Sequence, residues 1–213
     1  NILSTKKVLT GAPVYQAGGY VLDKYLENQR QIQHRHGSVE LVLATAESNF
    51  VDELTAKIKF FGLRGQAIYY TVDRPIGAKS REWNITCGRE AIRRYFLDQT
   101  DAEELLFLDA DMVFQEDILD ILHLNLAGAD AIISGSALLD KDRLKNGLSL
   151  SGFGCVLFTR KALHALPFKC CEFKNGDIIS ADEMFEMDMY YHRMKIKKGF
   201  FVTSYHYMNR DFA

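Results

Sequence analysis

The stretch Glu103-Glu104-Leu105-Leu106-Phe107-Leu108-Asp109-Ala110-Asp111-Met112-Val113-Phe114 decides how this chain is read. Leu105 to Leu108 is continuously apolar, as a strand covered on both faces must be, and it runs directly into two carboxylates one residue apart. Residues i and i+2 of an extended chain point the same way, so Asp109 and Asp111 can converge on one hard cation. Two close carboxylates repel unless positive charge lies between them. Ordinary turn aspartates closing a buried strand are the plainer alternative. The preceding strand favours a ligand, because open α/β sheets bind at the carboxyl ends of their strands.

Outward from this stretch, short apolar runs alternate with amphipathic segments along all 213 residues, the pattern of an α/β sheet with crossover helices. Strands are expected at Lys6 to Thr10, Val39 to Thr45, Ala67 to Val72, Glu104 to Leu108, Asp130 to Ser134, Gly154 to Phe158 and Gly199 to Thr203. Helical spacing joins Val21, Tyr25, Leu26 and Gln29 to Ile32, then Phe50, Leu54, Ile58 and Phe61, then Ile85, Ile92, Tyr95 and Phe96. Three prolines and no Gly/Ser-rich tract leave no linker, so residues 1–213 read as a single domain. Irregular stretches are expected at Asp73 to Arg81, Leu138 to Gly147 and Phe168 to Ser180.

Hydrophobic residues make up 47% and charged ones 25%, which excludes a disordered or fibrous chain. With 26 Lys plus Arg against 28 Asp plus Glu, no global field draws the chain to nucleic acid or anionic lipid, and a bound phosphate must be held locally. No apolar run approaches the ~18 residues of a membrane span, and the opening Asn1-Ile2-Leu3-Ser4 lacks a signal pattern, which predicts a cytoplasmic protein. Cys87, Cys155, Cys170 and Cys171 lack zinc-site spacing and read as reduced, mostly buried thiols. His34 and His36 read as surface, and His123, His164 and His192 show no partner spacing. The missing Met and the abrupt end at Asn209 to Ala213 suggest a domain excised from a longer chain with further domains.

An apolar strand followed by Asp-x-Asp about halfway along an α/β chain resembles the DxD motif of GT-A-fold glycosyltransferases, family-2-like members in particular, and among them domains encoded by chlorella viruses. The resemblance implies a Rossmann-like, mixed but mostly parallel central sheet flanked by helices. It also implies transfer of a hexose or deoxyhexose from a UDP-sugar to a glycan or glycoprotein acceptor, in the host cytoplasm if the chain is viral. Asp109, Asp111 and, at the end of the last strand, His206 would hold Mn²⁺ or Mg²⁺, which stabilises charge growing on the diphosphate leaving group.

Further positions follow from the same resemblance. Thr10, Gly11, Ala12 and Pro13 match the first turn against the nucleoside, Gly11 allowing close backbone approach; an ordinary strand-to-loop turn fits as well. Glu47 matches an acidic contact to the uracil imide; the plainer alternative is that Ser48 or Asn49 with Glu53 caps the next helix. Arg89 would bind phosphate or brace the carboxylates, Lys79 and Arg81 are loop candidates for the diphosphate, and Ala110 and Gly152 would lie against the donor. Counting back from Gly199 favours Asp188 as the catalytic base, with Glu186, Glu183 and Asp182 as alternatives; Met187 stands where the family has Glu. Two other readings compete. Asp109 to Val113 also matches the haloacid-dehalogenase phosphatase motif, which normally opens its domain, and a GT-A-like module can bind nucleotide or glycan without turnover.

Overall fold

The computed structural model describes residues 6–135 and 152–207. The chain runs β1 (Val8–Pro13), a 3-10 turn at Gln16–Gly18, α1 (Leu22–Arg35), β2 (Val39–Thr45), α2 (Ser48–Phe60), β3 (Gly65–Tyr69), α3 (Glu82–Gln99) and β4 (Glu104–Leu108). There follow β5 (Met112–Phe114), α4 (Ile118–Leu126), β6 (Ala131–Ser134), β7 (Cys155–Thr159), α5 (Arg160–Ala165), β8 (Cys171–Glu172), β9 (Ile178–Ile179), α6 (Ala181–Tyr191), β10 (Ile196–Gly199) and β11 (Ser204–His206).

Seven strands form the central sheet in the order β10-β6-β7-β4-β1-β2-β3. Pairing is parallel except around β7, which runs antiparallel to both β4 and β6. The uninterrupted apolar runs occupy the middle: every residue of β4 is buried, because helices cover both faces. One core layer packs α1, α2 and α4 on the sheet through Tyr25, Leu26, Leu54 and Leu122. The opposite layer packs α3, α5 and α6 through Ile92, Phe96, Leu163 and Phe185.

Two local devices bring the second layer close. A Cβ on Gly11 would meet Ile92 Cγ2 at 2.8 Å, so the glycine lets α3 settle on β1. Phe107, Phe153, Phe158, Phe168 and Phe185 form a ring cluster, with Phe168 stacked on Phe185 at 4.4 Å, that clamps α6 against β4 and β7.

Sequence expectation and structure part in identifiable places. No strand spans Gly199 to Thr203: β10 ends at Gly199 and β11 begins at Ser204. The backbone N–H groups of Phe201 and Val202 donate instead to Ser134 Oγ, which ends the ladder. The short β5 pairs antiparallel with β11 and carried no periodic signal of its own. Strand β1 is shifted to Val8–Pro13, and β3 is shifted to Gly65–Tyr69. His36 is buried near Asp120 rather than on the surface, and His123 has a partner, the buried Glu104. Cys155 and Cys170 are buried, whereas Cys87 and Cys171 are partly exposed; all four are free. The stretch Leu138 to Gly147 and the two chain ends lie outside the described residues.

Candidate active site at the end of strand β4

Beyond Leu108 the chain turns tightly. Asp109 N–H donates to Gly154 O at 3.0 Å and Met112 N–H donates to Asp109 O at 3.0 Å, which leads directly into β5. Pairing of β5 with β11 sets Met112 opposite His206, and Tyr207 N–H donates to Asp111 O at 2.8 Å. That register brings His206 Nε2 to 2.9 Å from Asp111 Oδ2. Gly154 is required for space: a Cβ there would come within 3.1 Å of Asp109 Oδ2.

Asp182 reaches the same place from α6. Ser180 caps that helix, its hydroxyl accepting from Glu183 N–H while the Glu183 carboxylate accepts from Ser180 N–H, so the first turn is fixed. Asp182 Oδ2 accepts from Phe153 N–H at 2.8 Å and Oδ1 pairs with Arg89 Nη1. Arg89 is buried in the body of α3 with its guanidinium beside the Phe107 and Phe153 rings, and its Nη2 lies 3.5 Å from Asp109 Oδ1. One cation thus ties together the carboxylates of two distant elements. Burial pushes the Asp109 carboxyl above its ordinary range and Asp111 adds to this, while Arg89 pulls the other way.

Two hollows meet at Asp109 and Asp111. A cleft of about 270 Å³ runs past Pro13, Tyr15, Phe50, Arg81, Ile85 and Arg89 to Asp109, Ala110 and Asp111. A smaller hollow of about 200 Å³ is bounded by Asp109, Asp111, Gly152, Asp182 and His206. Two carboxylates and an imidazole around one space form a donor set that suits Mn²⁺ or Mg²⁺. Among the described residues no three acidic, histidine or cysteine side chains are already gathered as a metal cluster, since Asp109 leans towards Arg89.

The structure brings Pro13, Arg89, Ala110, Asp111, Asp109, Gly152, Asp182 and His206 to these hollows and leaves other expected residues elsewhere. Thr10 and Ala12 are fully buried in β1, with Thr10 Oγ1 donating to Glu40 O, and the missing side chain of Gly11 serves α3 packing instead of a ligand. Glu186 pairs with Lys198, and Asp188 pairs with Lys169 at 2.7 Å; neither lines the hollows. Asp188, the base expected from counting back from Gly199, therefore faces Lys169 rather than the hollows. Exposed Lys79 does not line the cleft, but Arg81 does. Glu47 precedes α2 without a side-chain cap, and its Oε2 accepts from Gln16 N–H at 2.6 Å beside the cleft wall. Tyr15, Phe50 and Ile85 are among the residues that also line the cleft. Their apolar or aromatic character gave no signal separable from core positions.

No protein-family model and no curated protein sequence matches the chain. Solved structures do. A mannosyltransferase from Pyrobaculum calidifontis, in complex with GDP-mannose and Mn²⁺, superposes with a TM-score of 0.66 at 14% identity, covering 98% of this chain and 59% of that one. Glucosyl-3-phosphoglycerate synthase from Mycobacterium tuberculosis, with Mn²⁺, UDP and glucosyl-3-phosphoglycerate, gives 0.60 at 14% identity over 96% of this chain and 73% of that one. Residues 1–349 of S. aureus TarS with UDP-GlcNAc give 0.55 at 14% identity over 97% and 61%. The chain therefore has the GT-A fold of nucleotide-sugar glycosyltransferases and spans 59% of the mannosyltransferase's length. The haloacid-dehalogenase alternative finds no support in these likenesses. Among the described residues no helix is long and apolar enough to cross a membrane.

Proposed function

We propose that this chain is the catalytic domain of a divalent-metal-dependent glycosyltransferase that moves a hexose or deoxyhexose from a UDP-sugar to a glycan acceptor. The observation that carries the reading is the contact of Asp111 with His206 beside Asp109, at the carboxyl end of a central strand and open to a cleft. The solved neighbours, with nucleotides and Mn²⁺ bound at the same fold, support it.

Asp109, Asp111 and His206 are the residues to hold Mn²⁺ or Mg²⁺, which when bound supplies positive charge to the diphosphate leaving group. Arg81, on the cleft wall, adds a planar donor fork for a phosphate. Glu47 spends one carboxylate oxygen on Gln16 N–H and keeps the other for a uracil imide proton. Pro13 and Ala110 form the floor beside the donor. Asp182 is the acidic group placed to accept from the attacking hydroxyl; Arg89 and Phe153 N–H hold its carboxylate in one orientation. Gly152, in a left-handed conformation at φ 111°, shapes the turn under that hydroxyl.

The test is thermal stabilisation and donor hydrolysis with UDP-glucose, UDP-galactose, UDP-GlcNAc and GDP-mannose, each with Mn²⁺. Stabilisation and cleavage by a UDP-sugar, both lost in Asp111→Asn, is the expected result. Full cleavage by that variant overturns the reading. Metal-dependent UDP binding with no hydrolysis or transfer would identify a non-catalytic module.

A further inference from the structure

A second, larger hollow of about 610 Å³ lies on the other flank of α3. Its size falls in the range of about 300–1,000 Å³ occupied by small-molecule sites. One wall is the continuation of β3: Tyr69, Thr71 and Asp73 are alternate residues of an extended segment, all three exposed. Among the described residues, no protein group hydrogen-bonds the Tyr69 hydroxyl, the Thr71 hydroxyl or the Asp73 carboxylate, so a row of polar groups faces the space. The facing wall is α3, with Trp83 at its start and Arg94 further along, and Phe168 and Lys169 close the end.

Positive and negative groups balance at this hollow, and both of its cations are already engaged. Glu90 accepts from Arg93, Arg94 and Phe168 N–H, and Lys169 pairs with Asp188 at 2.7 Å. A phosphate or carboxylate would therefore find no uncommitted cation there, unlike in the Arg81-lined cleft. What the walls offer is flat aromatic surface, including a Tyr69 side chain that is 53% exposed, beside hydrogen-bonding groups that lack protein partners. A pyranose ring has the matching chemistry, an apolar C–H face with hydroxyls around its edge, and carries no charge.

From this match we infer that the hollow between β3 and α3 binds a neutral saccharide, at a site separate from the metal-centred cleft. The two spaces lie back to back: Ile85 and Arg89 of α3 face the cleft, whereas Thr86, Cys87 and Glu90 face the saccharide hollow. The Tyr15 and Tyr70 hydroxyls, one from each lining, touch at 3.2 Å. Saccharide binding stands on its own chemistry; its use, to retain one stretch of a glycan while another is extended, rests on the transfer reading.

Trp83 is the single tryptophan of the chain and lines this hollow, so its emission reports occupancy directly. The wild-type chain, with neither metal nor nucleotide present, is titrated separately with maltohexaose, cellohexaose, chitohexaose and UDP, and saturation-transfer NMR is recorded on the same samples. Expected is a saturable emission change and saccharide NMR signal for at least one oligosaccharide at or below about 1 mM. Tyr69→Ala and Arg94→Ala, both at exposed positions, are expected to weaken that binding at least about tenfold. Silence of both readouts with every oligosaccharide up to about 10 mM overturns the inference. A response to UDP alone, or saccharide binding unchanged in both variants, overturns it equally. Because no donor is present, these outcomes are independent of whether the cleft catalyses transfer.

Discussion

Strand β4 has a carboxylate–histidine pair near each end, and the two pairs have opposite characters. At its start, Glu104 is 1% exposed and its carboxylate meets His123 Nε2 at 2.5 Å and Lys6 Nζ at 2.5 Å. Just past its finish, Asp111 is 43% exposed and meets His206 at 2.9 Å on the wall of a hollow. The first pair is enclosed by protein, and burial, which alone would raise the Glu104 pKa, is outweighed by hydrogen bonds from His123 and Lys6. The second is open to a ligand. The same pairing of carboxylate and imidazole is thus enclosed where the sheet closes and reachable by a ligand where it opens, and access to solvent distinguishes the two.

The comparison breaks most sharply on Asp111→Asn. Metal-dependent donor cleavage should fall at least about 100-fold, while unfolding free energy stays within about 0.5 kcal/mol, because the side chain is exposed. Parallel turnover assays and urea titration read both. Glu104→Ala should do the reverse, destabilising the chain by about 3–5 kcal/mol through the stranded partners of a buried charge. Metal affinity of the fraction that remains folded should be unchanged.

Gly11→Ala separates packing from binding at the end of β1. With Ile92 Cγ2 2.8 Å from the new Cβ, it should cost about 1–3 kcal/mol and leave donor affinity of the folded protein as it was. Weakened donor binding at unchanged stability would restore Gly11 to the nucleotide site.

The smallest effect is in acid. Glu104 titrates below its ordinary value of 4.5 in the folded chain, so the unfolded state binds more protons there. Its contribution is present above that value and is lost as pH falls through the lower folded pKa. Melting temperature measured across that range should decline less steeply in Glu104→Gln than in the wild type.

The buried centre was legible because burial on both faces imposes an apolar run: Val39 to Thr45 and Glu104 to Leu108 are the observed strands. Asp109 and Asp111 were legible for a local reason, two carboxylates directly after such a run. Arg89 and Asp182 were each candidates from the sequence, but their pairing was not legible. Arg89 and Asp182 sit on separate helices, and no local pattern announces that they form an ion pair. Asp188 was favoured and Glu186 kept as an alternative because a helical carboxylate has the same local signature whether it faces a cleft or a lysine. His123 and Glu104 were missed as a pair for that reason too: each is ordinary in its own segment.

The two-stranded pairing of β5 with β11 also bears on how the site comes into being. Asp111 and His206 are separated by 95 positions, and their contact closes a loop that spans nearly half the chain. The entropy of closing so long a loop rises only slowly with length, but it must be met before the contact returns anything. No local element of the chain holds these two side chains together, so the candidate metal site belongs to the assembled sheet alone. Contacts of such long sequence separation are slow to form, and a chain without β11 docked offers a metal at this place only the Asp109 and Asp111 carboxylates.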